Sequence, residues 1–298
     1  MAQFVELLPN RGVDSRPREQ AWMMVPAGNN NYIRLVDGAG FDVKPADLKH
    51  HIDLAEINRD KWVTVLKELT ATVPQGDRLF RVRGVSAGPA QIVARRGRDE
   101  IKVEISVKKN KSYSIAYYFI QDAGAKSPRS TFSTAYTDVW IKGLNDVYGL
   151  QANLWFSKIK KKAGVFVLPL PQLPEAIGPD QAKVLAQEGS KLDSSADIKI
   201  YLAGPKIVSQ DASNASHVNG FYHVEQKIII MKDRISDKGQ PMLQTMAHEI
   251  GHWFNYNHGP GEGHDFYQKV GYKSDILNTM DGNDIKIPKQ RVLNWNGS

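Results

Sequence analysis

The amino-acid sequence predicts an α+β protein with an all-β N-terminal domain and a mixed α/β C-terminal domain. Short apolar segments separated by turn residues fill the first hundred residues, and helical spacing of apolar residues begins only beyond them. A polar, charged segment at 108–112 lies between the two patterns. We therefore place residues 1–110 in a β-sandwich and residues 111–298 in a second domain.

The first domain is predicted to consist of short strands. Its clearest strand covers residues 101–107, where apolar and polar residues alternate, whereas residues 60–69 fit either a strand or a helix. The other predicted strands are residues 21–25, 32–36, 80–85 and 90–94. The segment 84–90, Gly-Val-Ser-Ala-Gly-Pro-Ala, is followed by two strands and is similar to bacterial immunoglobulin-like (Ig-like) modules. This resemblance covers about residues 15–108 and implies an Ig-like sandwich.

The second domain is predicted to mix helices and strands. Apolar residues repeat at spacings of three and four over residues 132–148, which predicts a long amphipathic helix after a β-like segment at 113–120. A second long helix is predicted at about 240–255. The remaining predicted elements are strands at 152–156, 165–168, 198–202 and 221–231, and short helices at 180–188 and 288–295.

The helix at about 240–255 carries the most informative motif of the sequence. Residues four apart lie on one face of a helix, so His248 and His252 can direct their imidazoles at one ion. Glu249 lies beside that ion without having to ligate it, and His258 follows closely enough to be a third ligand, with His264 as a competing candidate. Three protein nitrogens leave one tetrahedral position open for water, which predicts one catalytic Zn²⁺ rather than a structural one.

The pattern His-Glu-x-x-His-x-x-Asn-x-x-His over residues 248–258 resembles the metzincin signature of zinc peptidases, in which Asn255 is normally glycine. Asparagine tolerates the left-handed backbone conformation that this position usually adopts. The resemblance covers about residues 113–298 and implies that Met280 belongs to the Met-turn beneath the metal. It also implies that an antiparallel edge strand binds extended substrate through its main chain, and residues 220–231 are the candidate.

Three residues beyond the third histidine are candidates for the rim of the site. His264 could contact the transition state from the rim, as an alternative to ligating the metal. Tyr267 and Tyr272 could each donate a hydrogen bond to the developing oxyanion. A surface role for the histidine and a packing role for each tyrosine are the competing interpretations.

The composition restricts the class of protein further. The 298 residues include no cysteine, which excludes disulfide scaffolds, cysteine zinc fingers and a cysteine nucleophile. The net charge of +7 fits a solvated basic face or attraction to anionic polymers, and no motif indicates nucleic-acid binding. No apolar segment is long enough for a transmembrane helix, and the N-terminus lacks the pattern of a signal peptide. We therefore expect cytoplasmic synthesis followed by leaderless secretion or delivery into a target cell.

These features together predict a zinc-dependent endopeptidase that acts on polypeptide substrates, with Glu249 as the general base. A basic chain with an Ig-like module and a metzincin-like domain resembles metallopeptidase effectors of bacterial contractile injection systems. That resemblance implies a toxin whose N-terminal domain binds the delivery machinery or a target surface. The alternatives are a hydrolase of cell-wall peptides and a non-catalytic surface-binding protein with a structural zinc site.

Overall fold

The computed structural model describes residues 2–6, 21–46, 49–66, 76–149, 152–171, 177–204, 219–233 and 243–254. These residues form a β-rich α+β protein with few helices. They separate into two compact units. Of the described residues, the first unit contains those up to Lys111 together with Val147–Leu154, and the second contains Ser112–Asp146 and those from Trp155 onward.

The first unit is built from two four-stranded sheets that share one apolar core. Its elements are β1 (Gln3–Glu6), β2 (Trp22–Pro26), β3 (Asn30–Val36), β4 (Asp42–Pro45), β5 (Ile52–Glu56), α1 (Arg59–Leu66), β6 (Arg78–Gly84), β7 (Gly88–Arg96) and β8 (Asp99–Lys108). The strand order is β1-β3-β6-β5 in one sheet and β2-β8-β7-β4 in the other. Ile33 and Leu35 enter the core from the first sheet, and Val103 and Ile105 enter it from the second.

The predicted strands of the first unit are confirmed, and residues 60–66 of the ambiguous segment are helical. Val103 and Ile105 of β8 are buried whereas the intervening Glu104 is not, as expected for a strand with one face on the core. The unit is β-rich rather than all-β, because it also contains helix α1. Local contacts of Trp62 anchor this helix. The indole Nε1 of Trp62 donates to the Ile57 carbonyl at 2.6 Å, and the Trp62 ring is buried.

The second unit contains one sheet with helices. The elements that lie wholly or partly within it are β9 (Lys111–Asp122), α2 (Tyr136–Leu144) with a π-helical turn at Asn145–Gly149, β10 (Leu154–Lys158), a 3-10 turn at Lys161–Gly164, β11 (Val165–Leu170), α3 (Pro179–Leu192), β12 (Ile198–Leu202), β13 (Gly220–His223), β14 (Ile228–Met231) and α4 (Leu243–Trp253). The sheet order is β10-β9-β12-β14-β13, and β11 also pairs with β9. Strands β9, β11, β12 and β14 are parallel, and β13 runs antiparallel to β14.

The two faces of this sheet carry different helices. On one face the Tyr117 ring lies 5.5 Å from the Trp140 ring of α2, and its hydroxyl lies 3.8 Å from the sulfur of Met246 in α4. On the other face Tyr118 shares an apolar cluster with Ala182 and Leu185 of α3. The central strand β9 is therefore buried on both sides, which explains its nearly continuous apolar sequence.

Two predicted elements differ from the structure. The single strand predicted at 221–231 is wrong, because β13 and β14 form a hairpin whose turn includes Lys227 at φ +51°. The helix predicted over 132–148 begins only at Tyr136. Phe132 precedes the helix and packs edge-on against Tyr136 and Trp140, at ring distances of 5.4 and 5.8 Å. Phe132 therefore matches the helical spacing because its ring packs against residues of the helix, although it lies before the helix begins.

None of the helices within the described residues is both long and apolar enough to cross a membrane.

Candidate metal centre

Helix α4 carries two of the three predicted zinc ligands, His248 and His252, and the predicted base Glu249. Its buried residues Met246, Ala247 and Ile250 hold the helix against the rest of the second unit. At its start, a Cβ atom added to Gly143 of α2 would lie 2.3 Å from Leu243 Cδ2, so α2 and α4 are in close contact there. The helix predicted at about 240–255 is thus confirmed between Leu243 and Trp253.

Aromatic contacts hold the C-terminal end of α4. The Tyr113 ring at the start of β9 lies 5.5 Å from the Trp253 ring and 5.2 Å from the Phe254 ring, both edge-on. Edge-to-face pairs at such distances are favourable beyond the apolar area they bury. The turn of helix that contains His252 is therefore held against the sheet.

The imidazoles of His248 and His252 converge on each other. Their Nε2 atoms are 2.9 Å apart, and the ring centroids are 4.6 Å apart at an interplanar angle of 83°. Two protonated nitrogens would repel at that distance, so at least one Nε2 presents a lone pair. Tetrahedral zinc with bonds of about 2.0–2.1 Å holds two nitrogens about 3.3 Å apart, so a separation of about 0.4 Å more would let both bind one ion.

The side chain of Glu249 points from α4 towards the β13–β14 hairpin, and the residue is only 5 % exposed. Burial raises the pKa of its carboxyl to about 8, and the backbone N–H of Tyr222, which donates to the carboxylate, acts in the opposite direction. The carboxylate thus has one main-chain donor from β13. A buried carboxyl with a raised pKa is the type of group that can take up a proton near neutral pH.

Strand β13 lies directly against α4. A Cβ atom added to Gly220 would lie 3.3 Å from Glu249 Cγ, 3.0 Å from Thr245 Cγ2 and 2.9 Å from Met231 Sδ. Glu249 and Thr245 are one helical turn apart and so lie on the same side of α4. The strand main chain therefore occupies the space beside the glutamate.

Several predicted site residues lie outside the described residues. These are His258, His264, Tyr267, Tyr272 and Met280, together with Asn255. Within the ranges that the structure describes, no group of three or more His, Asp or Glu side chains could hold a metal ion. The structure thus brings together His248 and His252, with Glu249 beside them in the chain. The roles of the other residues stay predictions.

Two features of the site were not identified from the sequence. The Tyr222 N–H is a main-chain donor, so no side-chain type indicates it. Gly220 does carry a signal, because glycine inside a strand often marks a place where another element approaches closely. Its partner on α4 depends on strand order and on the packing of the helix, neither of which has a local sequence pattern.

Comparison with known proteins finds no match to any protein-family model and no match among curated proteins. Solved structures match over parts of the chain. Domains 4 and 5 of the S-layer protein SbsC align with 16 % identity over 32 % of this chain and 51 % of that one, at a TM-score of 0.21. Domains 5–6 of the same protein align with 12 % identity over 41 % and 56 %, at a TM-score of 0.24.

A third match is the twitchin kinase region from C. elegans, with 12 % identity over 30 % of this chain and 15 % of that chain, at a TM-score of 0.19. The alignments thus span little more than half of the S-layer structures and a small part of twitchin.

Proposed function

We propose that the protein is a zinc-dependent endopeptidase with a metzincin-like catalytic domain at residues 111–298. The observation that carries the proposal is the convergence of His248 and His252, whose Nε2 atoms are 2.9 Å apart on one helix. A buried glutamate directly follows the first of these histidines. A purely structural zinc site has no need of that neighbouring carboxylate, which favours catalysis over the binding-protein alternative.

The donor set suits zinc, since imidazole nitrogen is one of its common ligands. His248 and His252 would hold the ion, with His258 as the predicted third ligand. When bound there, zinc supplies Lewis acidity towards water and towards the scissile carbonyl. With a cation at the imidazoles, the ionised form of the neighbouring Glu249 carboxyl is favoured.

Glu249 then acts as the base. Its carboxylate accepts a proton from water during attack on the carbonyl and passes that proton to the leaving amine. The low exposure of the side chain limits competing hydrogen bonds from bulk water, and the Tyr222 N–H restricts its orientation. Proton transfer of this kind contributes roughly 10²–10⁴-fold to rate.

The substrate class follows from the edge of the sheet. Strand β13 is the outermost of the described strands in its sheet and runs antiparallel to its neighbour β14. Main-chain groups at a sheet edge can pair with an extended peptide, and β13 also contacts the glutamate of the site. This arrangement supports a polypeptide substrate laid along β13, in place of the longer edge strand expected from the sequence.

The biological role is proposed on the resemblance alone. The first unit, with two four-stranded sheets around one core, would be an Ig-like accessory domain. In a bacterial effector or toxin it would bind the delivery machinery or the target surface. Incubation of the protein with casein and with purified peptidoglycan separates a general endopeptidase from a cell-wall peptide hydrolase.

Replacement of the base tests the catalytic proposal. Glu249→Gln keeps the shape of the side chain but cannot accept the proton, so we expect unchanged zinc content and a loss of about 10²–10⁴-fold in kcat. The matched control is Glu188→Gln on α3. Glu188 forms an ion pair with Lys191 away from the site, so this variant should leave kcat unchanged. Equal peptidase activity in wild type and Glu249→Gln contradicts the assignment, as does chelator-resistant activity.

A further inference from the structure

Gly220 occupies a position at which a side chain has no room. Three neighbours surround the place of its missing Cβ: Met231 Sδ at 2.9 Å, Thr245 Cγ2 at 3.0 Å and Glu249 Cγ at 3.3 Å. Real Cβ contacts are seldom this short, so an added methyl group would push β13 and α4 apart by several tenths of an ångström. The side chain of Met231 is flexible, whereas the Glu249 side chain is buried and has little room to move.

The register of the hairpin continues this contact along the strand. Gly220 pairs with Met231, Phe221 with Ile230 and Tyr222 with Ile229. Side chains alternate along a strand, and Phe221 packs into the cluster around α3 on the opposite face. Gly220 and Tyr222 therefore lie on the face that carries α4, and the Tyr222 N–H donates to the Glu249 carboxylate.

We propose that Gly220 is a positioning residue, which lets β13 approach α4 closely enough for the Tyr222 main chain to fix the Glu249 carboxylate. This role rests on the proposed function, because it assigns β13 two roles in the proposed peptidase reaction. The same strand would align the peptide and orient the base that serves it. A small displacement of β13 would then alter the orientation of the base and the alignment of the substrate together.

Glycine is otherwise unfavourable at this position. Within a strand it loses more conformational entropy than other residues and offers no side chain for packing. A β-branched or aromatic residue would stabilise an edge strand better. The close approach to Glu249 and Thr245 gives a physical reason for a glycine that strand propensity does not supply.

Hydrogen exchange of the Tyr222 amide tests the contact without any reference to activity. In the full-length protein we expect Gly220→Ala to raise the exchange rate of this amide by about tenfold or more, while the buried amides of β14 stay protected. Glu249→Ala removes the acceptor without crowding the strand and should deprotect the same amide. The control is Gly189→Ala in α3, where the added Cβ would lie 2.1 Å from the Tyr201 hydroxyl.

Kinetics provide the second measurement. A misplacement of about 1 Å costs up to about 10²-fold in rate, so Gly220→Ala should lower kcat by about tenfold to a hundredfold and leave zinc content unchanged. Thr245→Ser removes the methyl group that meets the new Cβ at 3.0 Å, so the double variant Gly220→Ala/Thr245→Ser should regain part of both kcat and amide protection. The Gly189→Ala control should retain kcat per folded molecule.

The two proposals fail differently. If the Tyr222 amide exchanges at the wild-type rate in both Gly220→Ala and Glu249→Ala, the positioning role is refuted even when the enzyme is an active zinc peptidase. If Gly189→Ala deprotects that amide equally, the effect is general destabilisation and the positioning role is again refuted. Wild-type protein without chelator-sensitive peptidase activity refutes the proposed function, whatever the amide shows.

Discussion

The contact between α2 and α4 can be tested by Gly143→Ala. The contact predicts that this substitution destabilises the wild-type protein but stabilises the Leu243→Ala variant. The added Cβ would lie 2.3 Å from Leu243 Cδ2 and 2.8 Å from Cδ1, far inside the ~3.5–4.0 Å that carbon atoms prefer. Such overpacking costs about 1–3 kcal/mol. Removing a glycine from a helix interior contributes about 1 kcal/mol in the favourable direction. We expect a net destabilisation of about 1 kcal/mol.

The partner substitution removes the obstacle. In the Leu243→Ala background the two methyl groups are absent, so Gly143→Ala should now stabilise the second unit by up to about 1 kcal/mol. The coupling energy between the two sites is then about 2 kcal/mol, within the range for residues in contact. Native-state hydrogen exchange of the buried amides of β9 measures both backgrounds. Equal stabilisation by Gly143→Ala in both backgrounds would refute the close packing of α2 against α4.

Three further predictions concern pH and metal. Burial raises the pKa of Tyr118 to about 12 and raises the pKa values of Tyr117 and Tyr201 as well. The contribution of these neutral tyrosines to the free energy of unfolding is therefore fully present below about pH 10. Between about pH 10 and 12 the free energy of unfolding should fall by up to about 1.4 kcal/mol per tyrosine per pH unit. Chemical unfolding at pH 9 and pH 11 checks this, and equal stability at both contradicts it. Zinc at 100 times its Kd should stabilise the unit by about 2.7 kcal/mol, seen as a raised thermal midpoint. His248→Ala should abolish that shift at the same zinc concentration, whereas His223→Ala on β13 should keep it.

The strands and helix α4 were predictable because one face of each of these elements is buried. In β8 the alternation of Val103 and Ile105 with polar residues follows from a strand that covers one core. In α4 the buried Ala247 and Ile250 have the helical spacing that identified the element, and the motif placed His248 and His252 on it. Local periodicity records local burial, and it was reliable for these elements.

The remaining features depend on interactions that have no local signal. The turn between β13 and β14 contains Lys227 at positive φ and no glycine, proline or asparagine, so the hairpin read as one strand. Phe132 matched the helical spacing because it packs on Trp140. The contact of Gly220 with Glu249 joins a strand to a helix through sheet order, which propensity and periodicity do not encode.

The central claim is that one zinc ion is bound by imidazoles of the C-terminal domain, and X-ray absorption of the purified, zinc-loaded protein tests it most directly. We expect one zinc per chain with three nitrogen ligands at about 2.0–2.1 Å and one oxygen, and loss of a nitrogen or of the metal in His248→Ala, His252→Ala and His258→Ala. Absence of stoichiometric zinc, or an unchanged spectrum in all three variants, would contradict the account.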